Sequence, residues 1–64
     1  MLEIDLSGED GNIFVVIAKA KEYVSAKDYQ KMRKRVLKAR NYDQALRIIN
    51  EYVEINDVSG TWKE

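Results

Sequence analysis

Strand-like sequence at both ends of the chain is the feature that most restricts its fold. Residues 2–6 alternate apolar and acidic side chains with a period of two, so an extended strand here would turn one apolar face toward a core. Residues 54–58 return to an extended pattern, which Gly60 then breaks. Two such strands can pair with each other, and this predicts that the chain ends form a two-stranded sheet.

The segment after the first strand allows two interpretations. Residues 13–17 have the β-branched content of a strand. Residues 18–23 follow without a turn signal, however, and are mostly good helix formers, and Asn12 stands where an N-cap is needed. We therefore predict a first helix over about residues 12–25, with a strand over the apolar run as the alternative.

Capping residues mark two further helices. Ser25 and Asp28 have the form of a capping box and predict a second helix over about residues 26–39. Asn41 repeats this arrangement and predicts a third helix over about residues 42–53. The chain is thus predicted to be a single α+β domain covering all 64 residues, with the order β-α-α-α-β and three helices packed with the sheet. The predicted core-facing stripes are Tyr29, Met32, Val36 and Leu37 on the second helix, and Tyr42, Ala45, Leu46, Ile49, Tyr52 and Val53 on the third.

The small size of the chain and its lack of Cys and His limit both its stability and its chemistry. A domain of this length buries only about 60% of the surface that its unfolded chain exposes. Disulfides are excluded and metal sites are reduced to carboxylates, so oligomerisation is the remaining reinforcement. Ser-His and Cys-His nucleophile pairs, zinc sites and haem ligation are also excluded. We therefore expect no enzymatic activity, no catalytic residues, no cofactor and no metal.

The Gly-containing loop over residues 7–12 precedes a predicted helix, as phosphate-binding loops do. It lacks the Lys and the Ser or Thr that complete the nucleotide-binding pattern, and Glu9 and Asp10 would repel a phosphate. Two adjacent loop acids are also a very weak signal for magnesium. We expect a plain connection between strand and helix.

Charge is strongly segregated along the chain, although the net charge is zero. Residues 19–40 hold nine of the eleven Lys and Arg residues against only two acids, a net charge of +7 for this segment. Five of these cations follow one side of the predicted second helix at spacings of i, i+4, i+7 or i+8, and i+11. This basic ridge consists of Lys27, Lys31, Lys34, Arg35 and Lys38.

The basic ridge has three interpretations. Exposed helices are often rich in lysine, so a merely solvated face is one of them. Like charges at this spacing repel each other, however, so the ridge also predicts an acidic neighbour or an anionic ligand. We predict that it contacts a protein partner with an acidic surface. Nucleic-acid binding through phosphates is the alternative, which the zero net charge makes less favourable.

Six consecutive apolar residues, 13–18, would coat every side of the first helix, although a peripheral helix needs only one buried stripe. Something must therefore cover the side that does not face the core. We predict that Phe14, Val15 and Ala18 form the interface of a homodimer. A target protein is one alternative, and a central position of the helix between the other elements is the second.

The chain shows no targeting or membrane-spanning pattern. The same six-residue run is the longest apolar stretch, far too short to cross a bilayer. The N-terminus carries acids where a secretory signal needs positive charge. We expect a cytoplasmic protein with no membrane contact.

The sequence also resembles a group of small uncharacterised proteins encoded by bacteriophages. The resemblance rests on the string MLEIDLSGEDGN at residues 1–12, on the apolar helix after it, and on NYDQAL at residues 41–46. Those proteins have a short strand ending in IDLSG, a Gly-Asn helix start, a third helix opening on a Gly-Asp-Tyr-like sequence, and a terminal strand. This chain departs from the pattern at Asn41, where Gly is usual, and it reverses the Asp-Tyr order. The resemblance implies no activity, but it does imply a protein that modulates host machinery, including antiviral defence, by binding a host protein in the host cytoplasm.

Overall fold

A computed structural model describes residues 1–60 and Trp62, and it confirms the predicted α+β fold with its β-α-α-α-β order. The apolar run at 13–18 is helical. A 3-10 turn stands before the first helix at Glu9–Gly11, and a second one follows that helix at Lys21–Tyr23. The main elements are β1 (Leu2–Ile4), α1 (Ile13–Ala20), α2 (Ala26–Leu37), α3 (Tyr42–Tyr52) and β2 (Ile55–Asp57).

The two chain ends form a parallel sheet, with Leu2 opposite Ile55 and Ile4 opposite Asp57. Both strands are shorter than predicted because a turn begins directly after each of them. Gly8 N–H donates to the carbonyl of Asp5, and Gly60 N–H donates to the carbonyl of Asp57. The extended pattern in the sequence therefore runs one or two residues beyond the paired strands.

Side-chain caps fix the starts of all three helices as predicted. Asn12, Ser25 and Asn41 each accept a backbone N–H from the first turn of the helix that follows. The ends differ from the predictions: α1 stops at Ala20 and gives way to a 3-10 turn, while α2 and α3 stop one or two residues early. The last turns are the least constrained part of a helix, because their carbonyls have no intrahelical partner.

The core lies between the helices and the sheet. The prediction of a core-facing position is wrong for two of the stripe residues: Leu37 is 56% exposed and Tyr42 is 42% exposed. They stand at the last position of α2 and the first position of α3, beyond the part of each helix that the core covers. Ile48, which the predicted stripe omitted, is buried. The buried residues are Leu2, Ile4, Val16, Ile17, Ala20, Met32, Val36, Ala45, Leu46, Ile48, Ile49, Val53 and Ile55.

Candidate functional site

Three lysines on the outer side of α2 and a fourth at its C-cap form a continuous stripe. Residues of a helix advance by about 100° each, which places Lys27, Lys31, Lys34 and Lys38 within about 60° of one another. The buried face of the same helix, at Met32 and Val36, is roughly opposite. All four lysines are exposed, and the stripe extends over about 16 Å along the axis. We call these four residues the lysine ridge.

The lysine ridge has few acids near it on its own helix. Asp28, in the first turn, is the one acidic residue of α2. Among the side chains that the structure describes, no ion pair joins any of the four ridge lysines to a carboxylate. Lys19, by contrast, lies 2.6 Å from Asp10. The ridge therefore sets four like charges against a single acid on α2 and without a close ion pair, and like-charged helix pairs of this kind destabilise the helix that carries them.

Arg35, the fifth residue predicted for the basic ridge, is engaged inside the molecule. Its guanidinium donates to both carboxylate oxygens of Glu51 at 3.0 Å, and to the Tyr52 hydroxyl at 3.3 Å. The guanidinium carbon also lies 5.8 Å from the centre of the Tyr52 ring. Hydrogen bonding to Glu51, and then to Tyr52, raises the pKa of Arg35 above its ordinary value, and Arg35 lowers the pKa of Glu51. Arg35 thus joins α2 to α3 and stands apart from the lysine ridge.

The three residues predicted for a dimer interface lie together on one surface. Phe14, Val15 and Ala18 line an open groove of about 660 Å³ that runs between α1 and β1. Phe14 is 64% exposed. The opposite side of α1 supplies Val16, Ile17 and Ala20 to the core. The other residues lining the groove are Leu2, Glu3, Lys19, Glu22 and Tyr23.

The acidic loop before α1 is held by contacts within the chain. Asp10 accepts the Lys19 ammonium on one oxygen at 2.6 Å and the Asp5 backbone N–H on the other at 3.0 Å. The hydrogen bond from Lys19, followed by that from Asp5, lowers the pKa of Asp10. Among the described residues, no group of three or more acidic, His or Cys side chains could hold a metal ion.

Two matching turns at one end of the sheet were missed by the sequence analysis. In the first turn, Asp5 Oδ1 accepts the Ser7 N–H at 3.1 Å and the Ser7 hydroxyl at 2.6 Å. In the second, Asp57 Oδ1 makes the same two contacts with Ser59 at the same distances. The signal was present in the sequence as a repeat, Asp-Leu-Ser-Gly at 5–8 and Asp-Val-Ser-Gly at 57–60. Because the strands are parallel, their carboxyl ends and both turns lie at the same edge of the sheet.

The Asp57 carboxylate accepts hydrogen bonds from residues near both ends of the chain. Besides Ser59, it accepts the Leu6 N–H at 3.1 Å and the Trp62 N–H at 2.8 Å. Desolvation raises the pKa of Asp57, but the hydrogen bonds from the Ser59 hydroxyl and from the backbone N–H groups outweigh it and hold the pKa well below its ordinary value. Trp62 also donates its indole N–H to Asp43 at 2.9 Å. The carboxylate of Asp57 is therefore occupied by donors of its own chain.

Comparison of the chain with protein-family models, with curated proteins and with solved structures gave no significant match. A search of the described residues for a helix of sufficient length and apolarity to cross a membrane also found none. The candidate surfaces are thus defined by geometry and charge: the lysine ridge on α2, and the groove between α1 and β1.

Proposed function

We propose that this protein is a small non-enzymatic binding protein that uses the lysine ridge to hold an acidic surface of a host protein. By the resemblance to bacteriophage proteins, it would act in the host cytoplasm as a phage-encoded inhibitor, with an antiviral defence protein as its target. The observation that carries the proposal is the alignment of Lys27, Lys31, Lys34 and Lys38 on one exposed side of α2, with no ion-pair partner in the described chain.

Three of the five other basic residues of the segment support this choice of surface by contrast. Lys19 is held by Asp10, the Lys21 ammonium lies 5.5 Å from the centre of the Tyr29 ring, and Arg35 is held by Glu51. These contacts engage three cations within the fold. The ridge lysines are available to an external carboxylate, and a row of four along one helix gives an acidic partner a defined register.

A protein partner is favoured over nucleic acid because the molecule as a whole carries no net charge. Non-specific attraction to phosphates grows with positive charge, and eleven acids offset it here. Duplex and single-stranded DNA titrations at increasing salt separate the two functions. DNA binding that falls steeply with salt and depends on the ridge would replace the proposed function by nucleic-acid binding.

The direct test is affinity capture from a bacterial lysate with two matched charge-reversal variants. In Lys31→Glu/Lys34→Glu the ridge is reversed at its centre, whereas in Arg33→Glu/Arg40→Glu the same charge change falls elsewhere on the surface. Both variants need a native circular dichroism spectrum as a folding control. We expect wild type and the Arg variant to retain the same acidic protein, and the Lys variant to lose it. Equal retention by all three would remove the ridge from the function.

A further inference from the structure

The outward side of α1 has a regular construction that the proposed function does not use. Pairs of neighbouring residues recur every four positions and so form three successive rungs along α1 and the 3-10 turn after it. All six residues line the groove. The rungs are Phe14 with Val15, Ala18 with Lys19, and Glu22 with Tyr23.

We propose that this face is the interface of a symmetric homodimer, in which the α1 segments of two copies pack antiparallel around a two-fold axis at the middle rung. In that arrangement the first rung of one copy meets the third rung of the other. Phe14 then packs on Tyr23 of the second copy, and Val15 packs on Glu22. The interface is self-complementary, as a two-fold axis requires.

The distribution of side-chain sizes along the face favours a second copy as the occupant. Large aromatic rings stand at both ends, with Phe14 64% exposed and Tyr23 51% exposed. The small side chain of Ala18 stands between them, where two helix backbones would approach most closely. Each aromatic ring then has an aromatic partner, which adds to simple burial of the ring surface.

The charges on the face are also compatible with a second copy. Lys19 and Glu22 carry opposite signs on adjacent rungs, so each Lys19 lies near Glu22 of the other copy. Asp10 engages the Lys19 ammonium, which still has further N–H donors for that contact. No residue of α2 lines the groove, so the lysine ridge is not part of this interface.

Pairing through the edge of β1 is the less favourable way to join two copies. Leu2 N–H donates to the Glu54 carbonyl and the Ile4 carbonyl accepts from Val58 N–H, on either side of β2, which leaves the backbone groups of Glu3 on the outer edge. An antiparallel pair centred on this short strand would bring two Glu3 side chains directly opposite each other, and like charges in that position are destabilising. A charged residue on an exposed edge is a common protection against such pairing.

The available area fits a dimer of modest affinity. A complete aromatic side chain covers about 150–250 Å², so the exposed parts of Phe14 and Tyr23 amount to about 200 Å² on each copy. The two copies together contribute about 400 Å² of aromatic surface, before Val15, Ala18 and the charged stems are included. A specific interface needs roughly 1,000 Å² in total. The aromatic surface alone supplies less than half of that area, so we expect a weak dimer whose population rises with protein concentration.

Because the chain has no cysteine, single introduced cysteines test this geometry without interference. Two α-carbons must lie within about 7 Å for a disulfide. With a copper–phenanthroline oxidant, Ala18→Cys beside the axis should cross-link to itself, whereas Ala26→Cys, an exposed alanine on α2, should not. Val15→Cys and Glu22→Cys should cross-link efficiently only when mixed, since each lies about 10 Å from its own copy across the axis.

The mass in solution gives the second, independent readout. Analytical ultracentrifugation should show wild type shifting from 7.5 kDa toward twice that mass as its concentration rises. Phe14→Asp should remain a folded monomer, while Leu37→Asp, which charges an exposed apolar position outside the groove, should dimerise as wild type does. A wild-type monomer at every concentration, or a dimer that Phe14→Asp leaves intact, would overturn the proposal. Cross-linking of the Ala26 control as fast as Ala18→Cys would overturn it as well.

Discussion

The guanidinium of Arg35 donates to both carboxylate oxygens of Glu51, at 3.0 Å each, and so joins α2 to α3. This contact distinguishes two groups among the cations of the α2 region. Arg35 belongs to the packing of the fold, whereas the lysine ridge faces outward without an internal partner. The two groups should respond differently to substitution, and the predictions below use that difference.

Removing the Arg35–Glu51 contact should reduce thermal stability and leave partner binding unchanged. In Arg35→Gln the bidentate contact is lost at an exposed site, so the effect should be small and should shrink further as salt screens the charges. Lys38→Gln removes the same charge from a residue without a partner and serves as the control. Thermal melts at low and high salt measure both variants. A decrease in stability that is equal for the two, or independent of salt, would contradict this role.

Asp57 should make stability depend on pH below about pH 4. Its pKa is lowered in the fold, so the stability it contributes is present above the unfolded pKa of about 3.9 and is lost as the pH falls toward the folded value. Asp57→Asn should lower the free energy of unfolding by about 1–3 kcal/mol at pH 7, through loss of charged hydrogen bonds.

Urea unfolding at several pH values measures this effect. The difference in unfolding free energy between wild type and Asp57→Asn should narrow steadily as the pH decreases from about 4 to 2, because the unfolded wild-type chain then binds a proton at this carboxylate that the folded protein does not. Glu54→Gln, which changes an exposed acid beside β2, should show a small difference at every pH. If the difference in unfolding free energy between wild type and Asp57→Asn stays constant down to pH 2, the charge of the carboxylate does not contribute to stability.

Gly11 should be the glycine of the first loop that does not tolerate a side chain. A Cβ at this position would lie 2.7 Å from the backbone carbonyl oxygen of Leu6, so the backbone would have to move. At Gly8 the nearest atom would be Asp5 Oδ2 at 3.6 Å, which is an ordinary contact. Chemical denaturation should show a loss of about 1–3 kcal/mol for Gly11→Ala. Gly8→Ala should be neutral or slightly stabilising, and equal losses at both positions would refute the steric account.

The element types were predictable because each helix carries its own local signals. Asn12, Ser25 and Asn41 cap the helices they were predicted to cap, since a side-chain cap depends only on residues a few positions away. The interior of the α3 stripe, including Ala45 and Leu46, also followed from helical spacing. The local pattern therefore specified most of the secondary structure.

The tertiary details could not be predicted because they depend on residues far apart in sequence. Glu51 is sixteen positions from Arg35, and only the packing of α2 on α3 brings them together. Ile48 lines the same cleft as Arg35 and is buried there, although the spacing of the predicted stripe omitted it. The prediction for Leu37 was wrong in the opposite sense. Its spacing fits the stripe, but the core does not extend as far as this residue, and it is exposed.

The lysine ridge was predictable from the sequence only in part. The side of α2 on which Lys27, Lys31, Lys34 and Lys38 stand followed from their spacing. The spacing could not show whether carboxylates of the same chain pair with these lysines, because such pairs depend on tertiary structure. The structure leaves the four lysines without an ion-pair partner among the described residues and pairs the carboxylate of Glu51 with Arg35.

The most direct test of the central claim is calorimetric titration of the captured partner with wild type, Lys31→Glu/Lys34→Glu and Arg33→Glu/Arg40→Glu at low and high salt. The lysine ridge predicts affinity that is about tenfold or more weaker for the Lys variant, close to wild type for the Arg variant, and lower for wild type at high salt. Equal affinity of the Lys variant and wild type, or equal losses for both variants, would show that the partner is held by a different surface.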